Sequence, residues 1–239
     1  DVTDAYLTNA EDKDIEYLLS LDTDRLLAGF RETAGVDMKG KQRYGGWENM
    51  LIGGHTMGHY LTAVSQAVAT LPSDDPRDKE LSDRLDYVID SLKECQDALG
   101  TGFIFGATIP DKNNIELQFD NIEKNKANIM DQAWVPWYTM HKILAGIIDV
   151  YKFTGNETAL ELAKELGTWV YHRTQTWSSS TRRTVLNIEY GGMNDCLYEL
   201  YAVTGEDIFA VAAHAFDEDT LFQIVASGGK NAITNRHAN

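Results

Sequence analysis

The sequence has few of the residues that would place it in a specialised class: its 239 residues include two cysteines and four prolines. Two cysteines can form neither a disulfide framework nor a four-cysteine zinc site. No apolar run approaches the roughly 20 residues of a membrane-spanning helix, and no charged-then-apolar secretory signal stands at the start. We therefore expect a soluble chain without membrane contact, and its compartment, cytoplasmic or secreted, stays open.

Basic residues are scarce as well. Lysine and arginine number 21 against 37 acidic residues, which gives a net charge of −16. Such a surface repels the phosphates of nucleic acids and anionic lipids, so neither is an expected partner. Hydrophobic residues make up 43% and charged residues 24% of the chain, as is typical of a globular protein. The length suits a single domain over residues 1–239.

The apolar residues recur at helical spacing almost throughout the chain. This periodicity predicts an all-α protein with little or no sheet. Prolines and glycines bound the predicted helices, which span 15–35, 50–71, 76–98, 128–153, 157–175, 186–203 and 207–216. Residues 100–127, rich in glycine and polar side chains, are predicted to form a long irregular connection, and residues 178–181 a polar loop.

A weak internal repeat relates residues 148–155 to residues 198–205. Both segments end in Thr-Gly, and the two glycines are fifty positions apart. Helices that are apolar nearly all round alternate along the chain with amphipathic ones. This pattern indicates stacked helical hairpins with buried inner helices and solvent-facing outer helices. We predict an α/α toroid, and a right-handed helical solenoid is the competing architecture.

Aromatic and polar residues cluster where the predicted inner helices begin, and in a toroid these helix ends converge on one mouth. Aromatic rings stack on the apolar faces of sugars, while histidine, asparagine and glutamate hydrogen-bond sugar hydroxyls. A carbohydrate is therefore the expected partner. The alternative is that the aromatic residues are core residues beside helix caps. The candidate substrate-binding residues are His55, His59, Trp134, His141, Glu189, Asn194 and His237.

The titratable residues of these motifs form no recognisable metal site or catalytic set. His55 and His59 share one helical face, but no glutamate follows His55 as in zinc proteases and no third ligand is evident. We therefore expect no metal there. The carboxylates of Glu48, Glu189 and Asp195 are either helix caps or ligand contacts, and a carboxylate near a helix N-terminus is stabilised in its charged form. A hydrolase that uses Glu48 and Glu189 directly is a further hypothesis.

Five motifs, taken in order, resemble the β-L-arabinofuranosidases of glycoside hydrolase family 127. They lie at residues 54–61, 94–96, 134–146, 189–194 and 237–239, and the tryptophan-rich third motif, WVPWYTMHKILAG, is the most specific. The resemblance implies an (α/α)6 barrel followed by β-sandwich domains. It implies release of terminal β-L-arabinofuranose from plant glycans with retention of configuration. It also implies sugar contacts by one of His55 or His59, by His141 and by His237.

In that family the nucleophile is a cysteine held beside a zinc ion by further cysteines and a glutamate, and another glutamate is the acid/base. Those residues belong to motifs that follow the His-Ala-Asn segment at 237–239. Cys95 and Cys196 lie outside the family's catalytic cysteine motifs, so no catalytic residue is transferred to this chain. Zinc is expected only in the full-length family site. Asp195 stands where relatives often carry glutamate.

The seven predicted helices are about half of the twelve that a double ring of six requires. We therefore expect the N-terminal half of a catalytic barrel, inactive alone, whose partner is the C-terminal half. Inner helices without neighbours would favour self-association. The alternative is a complete helical-hairpin protein that binds glycans or proteins without chemistry, and this alternative predicts a stable monomer.

Overall fold

The computed structural model describes residues 3–126 and 132–229. Within these ranges eleven α-helices, α1 to α11, run in chain order over Ala5–Ser20, Thr23–Ala34, His55–Thr70, Pro76–Leu99, Leu117–Glu123, Pro136–Thr154, Glu157–Thr174, Ser179–Ile188, Met193–Thr204, Asp207–His214 and Asp219–Ala226. A 3-10 helix covers Gly46–Asn49. The described ranges contain no strand, so the all-α prediction is confirmed.

The helices pair into hairpins that form two layers. Helices α3, α6 and α9 pack side by side, and α4, α7 and α10 pack side by side behind them. Each inner helix contacts the outer helix that follows it. Helix α1 packs on α3 and α2 packs on α4, at the other end of the series. The predicted alternation of inner and outer helices is therefore present.

The Thr-Gly repeat marks equivalent turns of two hairpins. Gly155 ends α6 with φ of 72°, and Gly205 ends α9 with φ of 71°. Glycine adopts this left-handed conformation without the strain that a side chain would add. The repeat therefore encodes the tight reversal from an inner helix to its outer partner.

Two predicted helices are each broken in the structure. The first divides into α1 and α2, because the Asp22 side chain accepts the backbone N–H groups of Asp24 and Arg25 and caps a new helix. The helix predicted over 186–203 divides into α8 and α9, because Gly191 and Gly192 adopt φ of 81° and 59°. The apolar spacing runs through both breaks, so periodicity alone did not locate them.

Other boundaries also differ from the prediction. Ser178 is the N-cap of α8, so residues 179–181 are helical and do not form a loop. Helix α11 has no counterpart among the predicted helices. The predicted helix start at 128 lies outside the described residues, and α6 begins at Pro136.

In its described part, the connection between α4 and α6 is irregular except for the short helix α5. Arg173 of α7 holds α5 in place through ion pairs of 2.6–2.7 Å with Glu116, Asp120 and Glu123. Phe119 of α5 packs edge-on against Trp137, with ring centroids 4.8 Å apart. The connection is thus anchored to the core beside the start of α6.

Glycines let the inner helices α3 and α6 come into backbone contact. A Cβ atom at Gly58 would overlap the Lys142 carbonyl oxygen, and one at Gly146 would overlap the Gly58 carbonyl oxygen. Hydrogen bonds flank this crossing on both sides: Thr139 Oγ1 donates to the Ile52 carbonyl at 3.2 Å, and Thr62 Oγ1 donates to Asp149 at 2.7 Å. The crossing therefore fixes the register of α3 against α6.

None of the helices in the described part of the chain is sufficiently long and apolar to span a bilayer.

The glycine crossing generates a stability prediction. Gly58→Ala gains about 1 kcal/mol of helix propensity, but it places a methyl group against a backbone carbonyl that cannot move independently. We expect a net loss of about 2 kcal/mol or more in the free energy of unfolding, measured by urea denaturation. Gly45→Ala is the matched control, because a Cβ atom at Gly45 meets nothing within 4 Å. Equal stability of the two variants would contradict the close backbone contact between α3 and α6 at Gly58.

Candidate functional site

A cavity of about 450 Å³ opens where α6 and α9 begin. Four separate parts of the chain build its wall: the 3-10 helix and the residues after it, residues 134–141, the loop between α8 and α9, and the turn after α10. Aromatic side chains dominate the wall, namely Trp47, Trp134, Trp137, Tyr138, Tyr190 and Phe216. Of the predicted site residues, Trp134, His141 and Glu189 lie in this wall.

A larger and more open groove of about 790 Å³ lies between the outer helices α4 and α7. Its lining is mostly charged, polar or glycine, and it includes no aromatic residue. The groove therefore has no surface on which a sugar ring could stack. The smaller aromatic cavity is the better candidate site.

His55, the first residue of α3, borders the cavity. Its ring packs against the cavity residues Trp47 and Tyr138, with centroids 6.1 and 6.2 Å away. His59 lies one turn further on and is more exposed, with its ring 6.2 Å from that of His55. Partial desolvation and the charge of Lys142 lower the pKa of His59. The two histidines share a face, as their spacing predicted.

His141 is buried in the cavity wall, edge-on to Tyr138 at 5.3 Å. Burial and the nearby charge of Lys142 lower the pKa of His141 to about 4, so the ring is neutral at neutral pH. A Cβ atom at Gly192 would lie 2.6 Å from this ring. The Gly-Gly pair of the α8–α9 loop therefore lets the backbone reach the histidine.

Glu189 lies in the loop before α9, but it caps the start of α6. Its Oε2 accepts the Tyr138 backbone N–H at 2.8 Å, while its Oε1 has no hydrogen-bond partner among the described residues. The residue is only 7% exposed, and desolvation raises the pKa of its carboxyl to about 8. The expectation of a charged carboxylate is therefore wrong here, because burial outweighs the hydrogen bonds from the helix start.

Glu48 makes the equivalent cap at the start of α3. Its Oε2 accepts the Gly54 N–H at 2.8 Å, and its Oε1 accepts the Thr56 N–H at 3.2 Å. Each of these two inner helices thus begins on a glutamate that comes from outside it. The geometry supports the cap interpretation of both carboxylates.

The structure does not bring every candidate residue to the cavity. Asn194 is absent from the wall, and its side-chain amide donates to Asp217 at 3.2 Å. Asp195 is exposed on α9. His237 lies outside the described residues. Phe216, which sequence reasoning missed, enters the wall from the turn after α10, and nothing in the local sequence distinguishes it from an ordinary core aromatic.

The described residues do not fit a zinc site. Cys95 and Cys196 are both buried, on α4 and α9. Burial raises the pKa of both thiols, that of Cys95 to about 12. Within residues 3–126 and 132–229 no group of three His, Cys, Asp or Glu side chains is placed to hold a metal ion. These cysteines are therefore packing residues.

The two-layer series of helical hairpins, with an aromatic cavity where inner helices begin, defines an α/α-barrel class of protein. A model of one family, the β-L-arabinofuranosidase GH127 catalytic domain, matches residues 1–239. The chain therefore belongs to glycoside hydrolase family 127, and the resemblance seen in the five motifs is confirmed.

Among solved structures, the chain is similar to a GH127 β-L-arabinofuranosidase from Geobacillus stearothermophilus T6. The identity is 16% and the TM-score is 0.61, over 95% of this chain and 35% of that one. This likeness supports the fold, and the chain spans about a third of the length of that relative. A search of curated proteins found no match.

The buried proton of Glu189 generates a pH prediction. Between pH 4.5, the ordinary pKa of this carboxyl, and about pH 8 the unfolded chain releases a proton that the native state keeps. Native stability therefore falls as the pH rises through this window, by on the order of 1 kcal/mol per pH unit. Glu189→Gln imitates the protonated form and should remove this contribution.

The measurement is the free energy of urea unfolding of wild type and Glu189→Gln at pH 5 and at pH 8.5. We expect the free energy of unfolding of Glu189→Gln, relative to that of the wild type, to be higher at pH 8.5 than at pH 5. The same difference between the two proteins at both pH values would contradict a native pKa near 8.

Proposed function

We propose that this chain supplies part of the sugar-binding pocket of a glycoside hydrolase that releases terminal β-L-arabinofuranose, or a related sugar, from plant glycans. The aromatic cavity with a neutral histidine and a buried glutamate in its wall carries the proposal. Its volume of about 450 Å³ lies within the usual range for small-molecule sites, about 300–1,000 Å³. Membership of family 127 supports the type of reaction.

The chemistry of the wall suits a sugar. Trp134 and Trp47 offer ring faces for stacking, and His141 offers a directional hydrogen bond. Two buried polar atoms at the wall, Glu189 Oε1 and Trp137 Nε1, have no partner among the described residues. Buried polar atoms are seldom left unpaired, so both favour a polar ligand over an apolar one. His55 and His59 extend the polar side of the site toward α3.

The catalytic step belongs to other parts of the full-length protein in this proposal. The zinc ion and cysteine nucleophile implied by the family resemblance have no counterpart in the described residues. The 239-residue chain therefore binds the sugar without turning it over. The parent protein carries out hydrolysis once its remaining segments complete the site.

Exposed apolar side chains support the proposal that another part of the protein packs against this chain. Tyr6, Leu7 and Tyr17 are exposed on α1, and Phe222 and Val225 are exposed on α11. These are the first and last helices of the described series. In the proposal, the rest of the catalytic barrel covers these faces, and without it the chain self-associates through them.

The first experiment measures ligand binding and turnover by the purified chain. We expect methyl β-L-arabinofuranoside to perturb tryptophan fluorescence, and a chromogenic β-L-arabinofuranoside to remain intact. His141→Ala should weaken binding about tenfold or more, because it removes a buried hydrogen-bonding group from the wall.

His172→Ala is the matched control, because His172 is exposed on α7 and outside the cavity. Its affinity should equal that of the wild type. Turnover by the purified chain would refute the proposed division of the site. Absence of sugar binding by the wild type would refute the proposal that the aromatic cavity binds the sugar.

The second experiment measures association by sedimentation velocity. We expect the wild-type chain to form concentration-dependent oligomers. The double variant Phe222→Ser, Val225→Ser should shift the population toward monomer, while Lys112→Ser, an exposed polar change, should not. A wild-type chain that stays monomeric at high concentration would favour the self-contained binding module.

A further inference from the structure

Glu48 contacts His55 in addition to capping α3. Its Oε1 lies 3.2 Å from Nδ1 of the His55 ring. The same Nδ1 lies 2.8 Å from the Ile52 carbonyl oxygen. The glutamate side chain is largely buried, so solvent competes little for these contacts.

These two contacts determine where the proton of a neutral His55 resides. The Ile52 carbonyl oxygen can only accept a hydrogen bond, so Nδ1 must be the donor. The Glu48 carboxylate, 3.2 Å away, favours a proton on the same nitrogen through its negative charge. The other ring nitrogen, Nε2, then carries a lone pair. A free histidine in water prefers the opposite tautomer, with the proton on Nε2, so the surrounding protein has to impose this state.

The location of the ring gives this tautomer a use. His55 packs against Trp47 and Tyr138, and both line the aromatic cavity. No described residue forms a hydrogen bond with Nε2. An unprotonated Nε2 at the border of the cavity can accept a hydrogen bond from a ligand hydroxyl.

We infer that Glu48 is a positioning residue, which holds His55 with Nδ1 protonated so that Nε2 accepts a hydrogen bond from a hydroxyl group of the bound sugar. The role as hydroxyl acceptor rests on the proposed sugar-binding function, whereas the tautomer is a property of the free protein. A cap alone does not require the histidine contact. Asp75, for example, caps α4 by accepting the Arg77 N–H at 2.8 Å, with no histidine among its partners in the described part of the chain.

The test is a long-range ¹H–¹⁵N correlation spectrum of the full 239-residue chain, with His55 assigned by His55→Gln. We expect the neutral ring of the wild type to show a protonated Nδ1 and an unprotonated Nε2. Glu48→Gln should shift His55 toward the Nε2–H form, because the neutral amide lacks the negative charge that favours a proton on Nδ1. Asp75→Asn, which also alters a helix cap, should leave the His55 signals unchanged.

A wild-type His55 with its proton on Nε2 would overturn the inference. So would a Glu48→Gln variant whose His55 tautomer is unchanged, because the Ile52 carbonyl would then suffice. If Glu48→Gln does not fold, Glu48→Asp takes its place, since it keeps the charge but falls one methylene short of Nδ1. The same shift toward Nε2–H is then expected, and its absence counts against Glu48.

The ligand arm uses methyl β-L-arabinofuranoside. Glu48→Gln should weaken binding about tenfold, the loss expected for one hydrogen bond, while Asp75→Asn should bind as the wild type does. Unchanged binding in a Glu48→Gln variant with an altered tautomer would refute the acceptor role. If the wild type binds no sugar, the proposed function fails, while the spectra of the free protein still decide whether Glu48 sets the tautomer.

Discussion

The backbone contact between α3 and α6 is the constraint on which the site depends. Gly58 and Gly146 let the helices approach until side chains at these positions have no room. Because both helices begin on the same side of this crossing, His55 comes to lie 6.2 Å from Tyr138. A crossing loosened by a single methyl group would separate the histidines of α3 from His141 of α6. Close glycine packing in the middle of two helices thus sets distances at their ends.

The starts of α3 and α6 also determine the charges of the groups around the cavity. Glu48 caps α3 and Glu189 caps α6, and each comes from a segment outside the helix that it caps. Burial decides the character of Glu189, because desolvation exceeds the stabilisation from the helix start and leaves a proton on the carboxyl near neutral pH. The neutral His141 in the same cavity wall has the same origin, since burial disfavours its charged form. In a chain with a net charge of −16, the cavity wall therefore combines a neutral histidine with a carboxyl that keeps its proton to about pH 8. Such groups suit the hydroxyls of a neutral sugar.

Much of the fold could be predicted from the sequence. Apolar spacing predicted the helices, and the Thr-Gly turns at 154–155 and 204–205 predicted the hairpins, because left-handed glycines end helices by a local rule. Local rules also explain the errors. The apolar spacing continues across Asp22 and across Gly191. Periodicity alone therefore does not predict a helix break that is made by a capping carboxylate or by a left-handed glycine. Trp134, His141 and Glu189 could be identified as wall residues because each lies before an inner helix or in its first two turns. Asn194 could not be excluded, since its partner Asp217 is more than twenty residues away.

By itself the sequence determined the family, the helical class and the residue types available for a sugar site. All three follow from composition, spacing and motif order. Only the tertiary structure decided which of those residues share a cavity and that Phe216 joins them. It also decided which titratable side chains are neutral because they are buried. It also paired Glu48 with His55 and Glu189 with the start of α6. These outcomes depend on distances between segments and on loss of solvent, and neither quantity is a function of local sequence.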